Sequence, residues 1–317
     1  MQVFRSLDEV PADFGPAVLS VGNFDGVHLA HQQVVSHMAD RAHAIGGQAV
    51  VVTFEPHPYR ILRPDVAPKL LSPLPIKLKL LEKTKVDAVL VLPFTRDLSM
   101  MSAHDFARDV LAGTLHMREI HEGYNFHFGH KAQGNPNTLG ALGEELGFGV
   151  KIYSEQLLRG HHVSSSEIRK LIAQGRVERA RALLGRPFSI VSNPGRGRGY
   201  GTRYTVPTVN LARYDELVPG NGVYITQMRI NGECFNSVTN VGVRPTFGPD
   251  SFAIESHLLN FHPIELLAQT EVELIFLKRL RDEKKFESVE ALKEQIGKDV
   301  KRAERFFRMV EKKAISI

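Results

Sequence analysis

His28 and His31 stand one helical turn apart in AVLSVGNFDGVHLAH, residues 17–31, directly after an apolar run and a Gly/Asn/Asp turn. Two imidazoles beside the open backbone N–H groups of a helix start make a place to hold a triphosphate. Gly22 and Gly26 permit close backbone approach by a ligand, so Gly22, Asn23 and Phe24 are expected to line a nucleotide site. The same H-x-x-H spacing also reads as a capping or surface feature. A zinc pair is the poorer reading, because helical zinc histidines usually stand four apart and no third ligand cluster is evident.

A second group with anion chemistry lies at SSSEIRKLIAQG, residues 164–175. Ser164 and Glu167 form a capping box, Arg169 follows in the early turns, and Gly175 ends the helix. Ser164, Ser165 and Ser166 need do no more than cap. As a ligand site, a serine-rich helix start with an arginine one turn in holds phosphates. TFEPHP (53–58) offers His57 on a loop stiffened by two prolines. EGYNFHFGH (122–130) alternates Phe126 and Phe128 around His127, either an aromatic wall for a flat ring or ordinary core.

Strand-like apolar runs at 17–22, 48–54, 87–93, 119–124 and 149–153 alternate with amphipathic segments near 29–45, 76–85, 102–115 and 136–147. Such alternation implies right-handed crossovers and an α/β doubly wound parallel sheet, with the ligand crevice at the carboxyl ends of the strands. The turn at 22–28 and the loops at 53–58 and 122–130 lie at such ends. After a short helical stretch at 176–184 the rhythm changes at Gly185-Arg186-Pro187. β-Branched and aromatic alternation, with a hairpin signal at Asn231-Gly232, predicts an antiparallel β-barrel or sandwich closed by helices within 286–313. Two domains are therefore expected, 1–184 and 185–317. Alternating charges in the last helices (Glu290, Glu294, Lys298, Arg302) read as a solvated, salt-bridged face.

A length of 317 residues suits two domains, each with its own core. The net charge of +5, from 40 Lys+Arg against 35 Asp+Glu, suits phosphate-bearing ligands and falls short of a dedicated nucleic-acid binder. A single cysteine, Cys234, excludes an intramolecular disulfide and a Cys-based zinc site. The longest apolar runs, AVVVTF (49–54) and AVLVLPF (88–94), are too short to span a bilayer, and MQVFRSLDEV lacks the layout of a secretory signal. A cytoplasmic protein without membrane or nucleic-acid partners is expected.

The ordered series GNFDGVHLAH, TFEPHP, EGYNFHFG, SSSEIR, PTVNL, NGVY, NVGVRPTFG and ESHLLNF resembles the bacterial bifunctional riboflavin kinase/FMN adenylyltransferase (FAD synthetase) family over nearly the whole chain. The resemblance implies FAD biosynthesis in two steps. The second domain would move the γ-phosphoryl of ATP to riboflavin. The first, similar to nucleotidyltransferases marked by H-x-G-H, would move AMP from a second ATP onto FMN with release of pyrophosphate. ATP, riboflavin and FMN are then substrates and FAD the product, with Mg²⁺ bridging phosphate oxygens in both sites.

Carried onto this chain, the resemblance places His28 and His31 on the ATP phosphates and the leaving pyrophosphate. Ser164, Ser165, Ser166 and Arg169 would close over the triphosphate. Asn125 and the TFEPHP loop, with Phe54 and His57, would place FMN or the adenosine, and Phe126 and Phe128 would contact the isoalloxazine. In the P-T-x-N motif at Pro207–Asn210, Thr208 and Asn210 offer hard oxygens for Mg²⁺. Glu255 would take the proton of the ribityl 5′-hydroxyl.

The chain departs from the family pattern in three places. Ala30 stands in HLAH where the family has glycine. The approach to P-T-x-N, a glycine-rich loop ending in G-F-P-T in the family, reads SNPGRGRGYGTRYTVPTVNL, with Thr205-Val206 before Pro207 and Pro194 where a β-strand residue is usual. Asn260 replaces the usual aspartate. These departures keep two alternatives open: an FMN adenylyltransferase whose kinase domain does not turn over, and a flavin- or nucleotide-binding regulatory protein without turnover.

Overall fold

Six short apolar segments pair in parallel: β1 (Gln2–Phe4), β2 (Ala17–Val21), β3 (Gln48–Glu55), β4 (Ala88–Pro93), β5 (Met117–Gly123) and β6 (Gly149–Tyr153). Their order in the sheet is β1-β4-β3-β2-β5-β6. This computed structural model describes residues 1–195, 208–243, 252–259, 261–262 and 266–315. The 196–206 stretch, Pro207, the 244–248 part of NVGVRPTFG, and Asn260 lie outside them.

Strand side chains alternate between faces, and each face finds its own cover. Val18, Ala49, Val51 and Val89 pack with Val35, Met38 and Ala42 of helix Leu29–Ala44 and with Leu81 of helix Leu74–Glu82. Leu19, Val50, Val52, Leu90 and Ile120 pack on the opposite face with Phe106, Val110 and Leu111 and with Leu139 of helix Pro136–Leu146. Burial on both sides explains the near-continuous apolar runs. Helices following β2 and β3 thus cover one face, and those following β4 and β5 the other. Winding reverses between β2 and β5, so the crevice falls at their carboxyl ends. All five strands read from the sequence are present; β1 is an addition, too short at three residues to show a period.

A two-stranded ribbon, β7 (Leu157–Leu158) and β8 (His161–His162), precedes the helices Ser165–Ala173 and Val177–Leu184. Contacts divide the chain into compact units Met1–Ser165 and Ser166–Ile317. Most of these two helices therefore falls with the second unit, whereas the sequence rhythm changes at 184/185. The packing has a clear cause: Gly220 N–H donates to Ile172 O at 3.0 Å, and the Arg279 guanidinium donates to Gln174 O and Asn221 O.

The second unit is an antiparallel sheet of β9 (Phe188–Ser192), β10 (Thr208–Asn210), β11 (Gly222–Ile230), β12 (Glu233–Val243), β13 (Phe252–Leu258) and β14 (Val272–Arg281), ordered β10-β13-β12-β11-β14-β9. Its two outer strands meet where Pro194 pairs with Leu211, curling the sheet into the expected barrel. Asn193 O and Gly195 N–H take the flanking hydrogen bonds, so Pro194 occupies a position that needs no donor. The β11–β12 turn is Asn231-Gly232, both at positive φ (49° and 85°), as a two-residue hairpin demands. Instead of several closing helices there is, among the described residues, one, Val289–Ile315. Ala303 and Phe307 press it onto Val223, Ile225 and Val238, and Arg281 donates to the buried Asp299 carboxylate at 2.9 and 2.8 Å. No helix among the described residues is long and apolar enough to cross a membrane.

Candidate functional site

β2 ends at the switch point and the chain turns sharply to start helix Leu29–Ala44. Phe24 (φ 47°), Gly26 (φ 82°) and Val27 (φ 39°) all hold left-handed backbone conformations, and the β-branched Val27 does so at a cost. Strain of this kind persists only where the surroundings enforce it. Here the buried Asp25 does so: its carboxylate accepts from Leu71 N–H (3.0 Å) and Ser72 N–H (2.9 Å), while Ser72 Oγ accepts from Gly26 N–H (2.8 Å). Asp25 O in turn accepts from Ser165 Oγ at 2.8 Å, which ties the serine motif to the turn.

The turn delivers the histidines as a stacked pair, ring centroids 3.6 Å apart and 15° from parallel. His28 is buried and caps the helix: its Nδ1 accepts from His31 N–H at 3.4 Å, which leaves the proton of a neutral ring on Nε2. His31 Nδ1 is buried without a hydrogen-bond partner. Burial first, then His28 and then Lys77, push the His31 imidazole well below its ordinary value. Two stacked rings in one enclosed place cannot both take a proton cheaply. Burial beside His28 therefore biases the His31 imidazole toward its neutral form.

Lys77 and Glu122 had no role in the sequence reading, yet both lie at this crevice. Lys77 is 4 % exposed and donates to Thr53 Oγ1 at 3.3 Å; Thr53 donates onward to Asn23 O at 3.3 Å. Burial lowers its pKa against the opposing pull of Asp25 and Glu55. The signal was present: Leu74, Lys77, Leu78 and Leu81 share one helix face, so a lysine fills an apolar slot. Glu122 caps the end of β2, its Oε1 accepting from Val21 N–H at 2.5 Å. Burial drives its carboxyl well above the usual range, against hydrogen bonds from Val21 and the Ser20 hydroxyl.

Other sequence candidates scatter in exposure. Asn23 and Asn125 are exposed, Gly22 is half-buried, and His57 is buried as the N-cap of helix Pro58–Leu62, accepting from Tyr59 N–H at 3.2 Å. Phe54 stands edge-on to Phe94 and packs on the core. Phe126 and Phe128 do lie together, stacked at 5.1 Å, with Phe128 inside the core beside Phe106 and Phe126 half-buried over it. Ser164 and Ser165 are half-buried; Ser166 and Arg169 ride on the helix that follows, in the second unit.

In the barrel, Asn210 on β10 pairs directly with Glu255 on β13, and Glu255 pairs on its other side with Asn240 on β12. Thr208, two residues before Asn210, shares that face and pairs with His257. Thr208 is exposed and Asn210 and Glu255 half-buried, so three oxygen-bearing side chains share a solvent-reachable face. Val209 and Ser256 alternate to the other face, where Ser237, Thr226, Thr239 and Ser256 form a buried hydroxyl chain with O···O distances of 2.7, 2.6 and 2.9 Å. Among the described residues, no group of three His, Cys, Asp or Glu is placed to hold a metal ion.

The chain matches the FAD synthetase family over residues 10–167 and the Riboflavin kinase family over residues 184–307. It is 36% identical over 308 residues to a bifunctional riboflavin kinase/FMN adenylyltransferase of Haemophilus influenzae, covering 97% of this chain and 99% of that one. The corresponding Escherichia coli K12 protein is 31% identical over 304 residues, 96% of each chain. A crystal structure titled macrolide-efflux protein, from Streptococcus pneumoniae, superimposes with a TM-score of 0.85 at 24% identity, covering 95% of this chain and 98% of that one. At that identity the likeness shows a shared fold alone.

Proposed function

The chain belongs to the bifunctional riboflavin kinase/FMN adenylyltransferase family, and from that premise we propose that it makes FAD from riboflavin in two ATP-dependent steps. Riboflavin is phosphorylated to FMN with release of ADP, and FMN is adenylylated to FAD with release of pyrophosphate. The observation that carries the reading is the pair of residue clusters in one chain: stacked histidines at a parallel-sheet switch point, and an Asn210–Glu255 cross-strand pair on a barrel.

In adenylyl transfer an FMN phosphate oxygen attacks the α-phosphorus as its bond to the pyrophosphate oxygen breaks. Negative charge grows on the leaving group, and no protein nucleophile is needed. His28 and His31 meet that charge with imidazole N–H groups held by the helix start, so little reorganisation accompanies reaction. Gly22, Asn23 and Phe24 line the nucleotide, with Ser164 and Ser165 beside the turn that Ser165 anchors. Ser166 and Arg169 are assigned to the phosphates on the sequence motif alone. Phe54, His57, Asn125 and Phe126 receive the flavin, with Phe128 backing Phe126.

In phosphoryl transfer Glu255 accepts the proton of the ribityl hydroxyl as its oxygen bonds the γ-phosphorus and the bond to ADP breaks. Thr208 and Asn210 present hard neutral oxygens on the face that carries Glu255, a donor set that fits Mg²⁺. When bound there, Mg²⁺ neutralises phosphate charge. The functional partition we propose is 1–184 for adenylyl transfer and 185–317 for phosphorylation.

The test is to supply Mg-ATP with riboflavin, and separately with FMN, and resolve the flavins produced. FAD from both is expected. FAD from FMN only would leave the kinase domain inactive, and FAD from neither would make the protein a binder without turnover.

A further inference from the structure

We propose that Lys77 is a positioning residue of the adenylyl-transfer site, an ammonium held beneath the 22–28 turn that braces it through Thr53 and adds fixed positive charge to the phosphate site of His28 and His31. This rests on the first unit being the adenylyltransferase. Helix Leu74–Glu82 presents Leu74, Lys77, Leu78 and Leu81 to the interior, and an apolar residue would fill the Lys77 slot without the cost of burying a charge. Thr53 Oγ1 is the one hydrogen-bond partner of Lys77 among the described residues. An ammonium has three protons, so two are left for a ligand. The chain Lys77 to Thr53 to Asn23 O ends on the backbone of the nucleotide turn, and the Asp25–Ser72 clamp sets the register between that turn and the start of the lysine's helix.

The charged groups facing Lys77 are Asp25 and Glu55, which favour the ammonium, and His31, whose protonation it opposes. Together with burial and His28, the lysine biases His31 toward its neutral form. Anion binding raises the proton affinity of His31, so the KM for ATP should climb with pH over the interval in which His31 loses its proton. Removing the lysine charge moves that interval upward.

The experiment compares FMN adenylylation by the full-length wild type and Lys77→Met across pH. A fall in kcat/KM for ATP of about tenfold, a KM for FMN within about twofold, and an upward shift of the KM(ATP) pH course support the role. An unchanged ATP KM and pH course, or equal losses toward ATP and FMN with an unmoved pH course, overturn it. Should Lys77→Met not fold, Thr53→Val, which detaches the ammonium from the turn, must raise the ATP KM selectively; an unchanged value overturns the role. Wild type that makes no FAD from FMN removes the functional reading itself, whereas active wild type with an unaffected variant removes only the role of Lys77.

Discussion

Ala30 sits between the two histidines as the second residue of helix Leu29–Ala44, half-buried, where the H-x-G-H resemblance implies glycine. With the triphosphate placed at this helix start as proposed, its methyl would narrow the approach of the nucleotide to the helix backbone. Ala30→Gly should keep kcat and change the ATP KM by about twofold or more; steady-state kinetics with an unchanged KM would show that the methyl has no part in binding. Replacing His31 by alanine should lower adenylyl transfer by about 10²–10³-fold, the usual loss for a group that stabilises transition-state charge. His28→Ala adds the loss of a helix cap, so its thermal midpoint should fall below that of His31→Ala.

At the scale of elements, strand ends and helix starts are held by single buried side chains. Glu122 spans β2 and β5 at the switch point, and its carboxyl pKa is raised by burial. A carboxyl with a raised folded pKa favours folding below its unfolded pKa and loses that contribution as pH rises toward the folded value. Glu122→Gln should therefore gain stability relative to wild type between about pH 5 and pH 8, read from urea midpoints at the two values. A flat difference would mean that Glu122 does not titrate against the fold. In the barrel, Arg281 pairs with Asp299, whose side chain is 2 % exposed. Arg281→Met strands that carboxylate with Gln295 as its remaining partner, and should cost about 3 kcal/mol of unfolding free energy.

For the molecule as a whole, two units with separate cores predict separable activities. Glu255→Gln should abolish FMN formation from riboflavin by about 10²-fold or more while FAD still forms from FMN. His31→Ala should do the reverse and let FMN accumulate from riboflavin. Flavin chromatography distinguishes the two patterns, and loss of both activities in either variant would contradict independent sites.

Much of this was readable from the chain alone, because local periods report local burial. The strands at 17–22, 48–54, 87–93, 119–124 and 149–153 fall within two residues of those observed. The turn at 22–28, the Asn231-Gly232 hairpin and the serine helix start were likewise local signals, and the order of motifs carried the family. Tertiary structure alone decided which distant groups meet. Asp25 and the 71–72 segment are 46 and 47 residues apart, Glu122 and Val21 101 apart, and Asn210 faces Glu255 only through strand register. No period in a sequence encodes such pairings, since they depend on the order of strands in the sheet. Lys77 shows the boundary most clearly: the helical pattern marks it as inward, but only the packed sheet shows that inward means linked through Thr53 to the 22–28 turn.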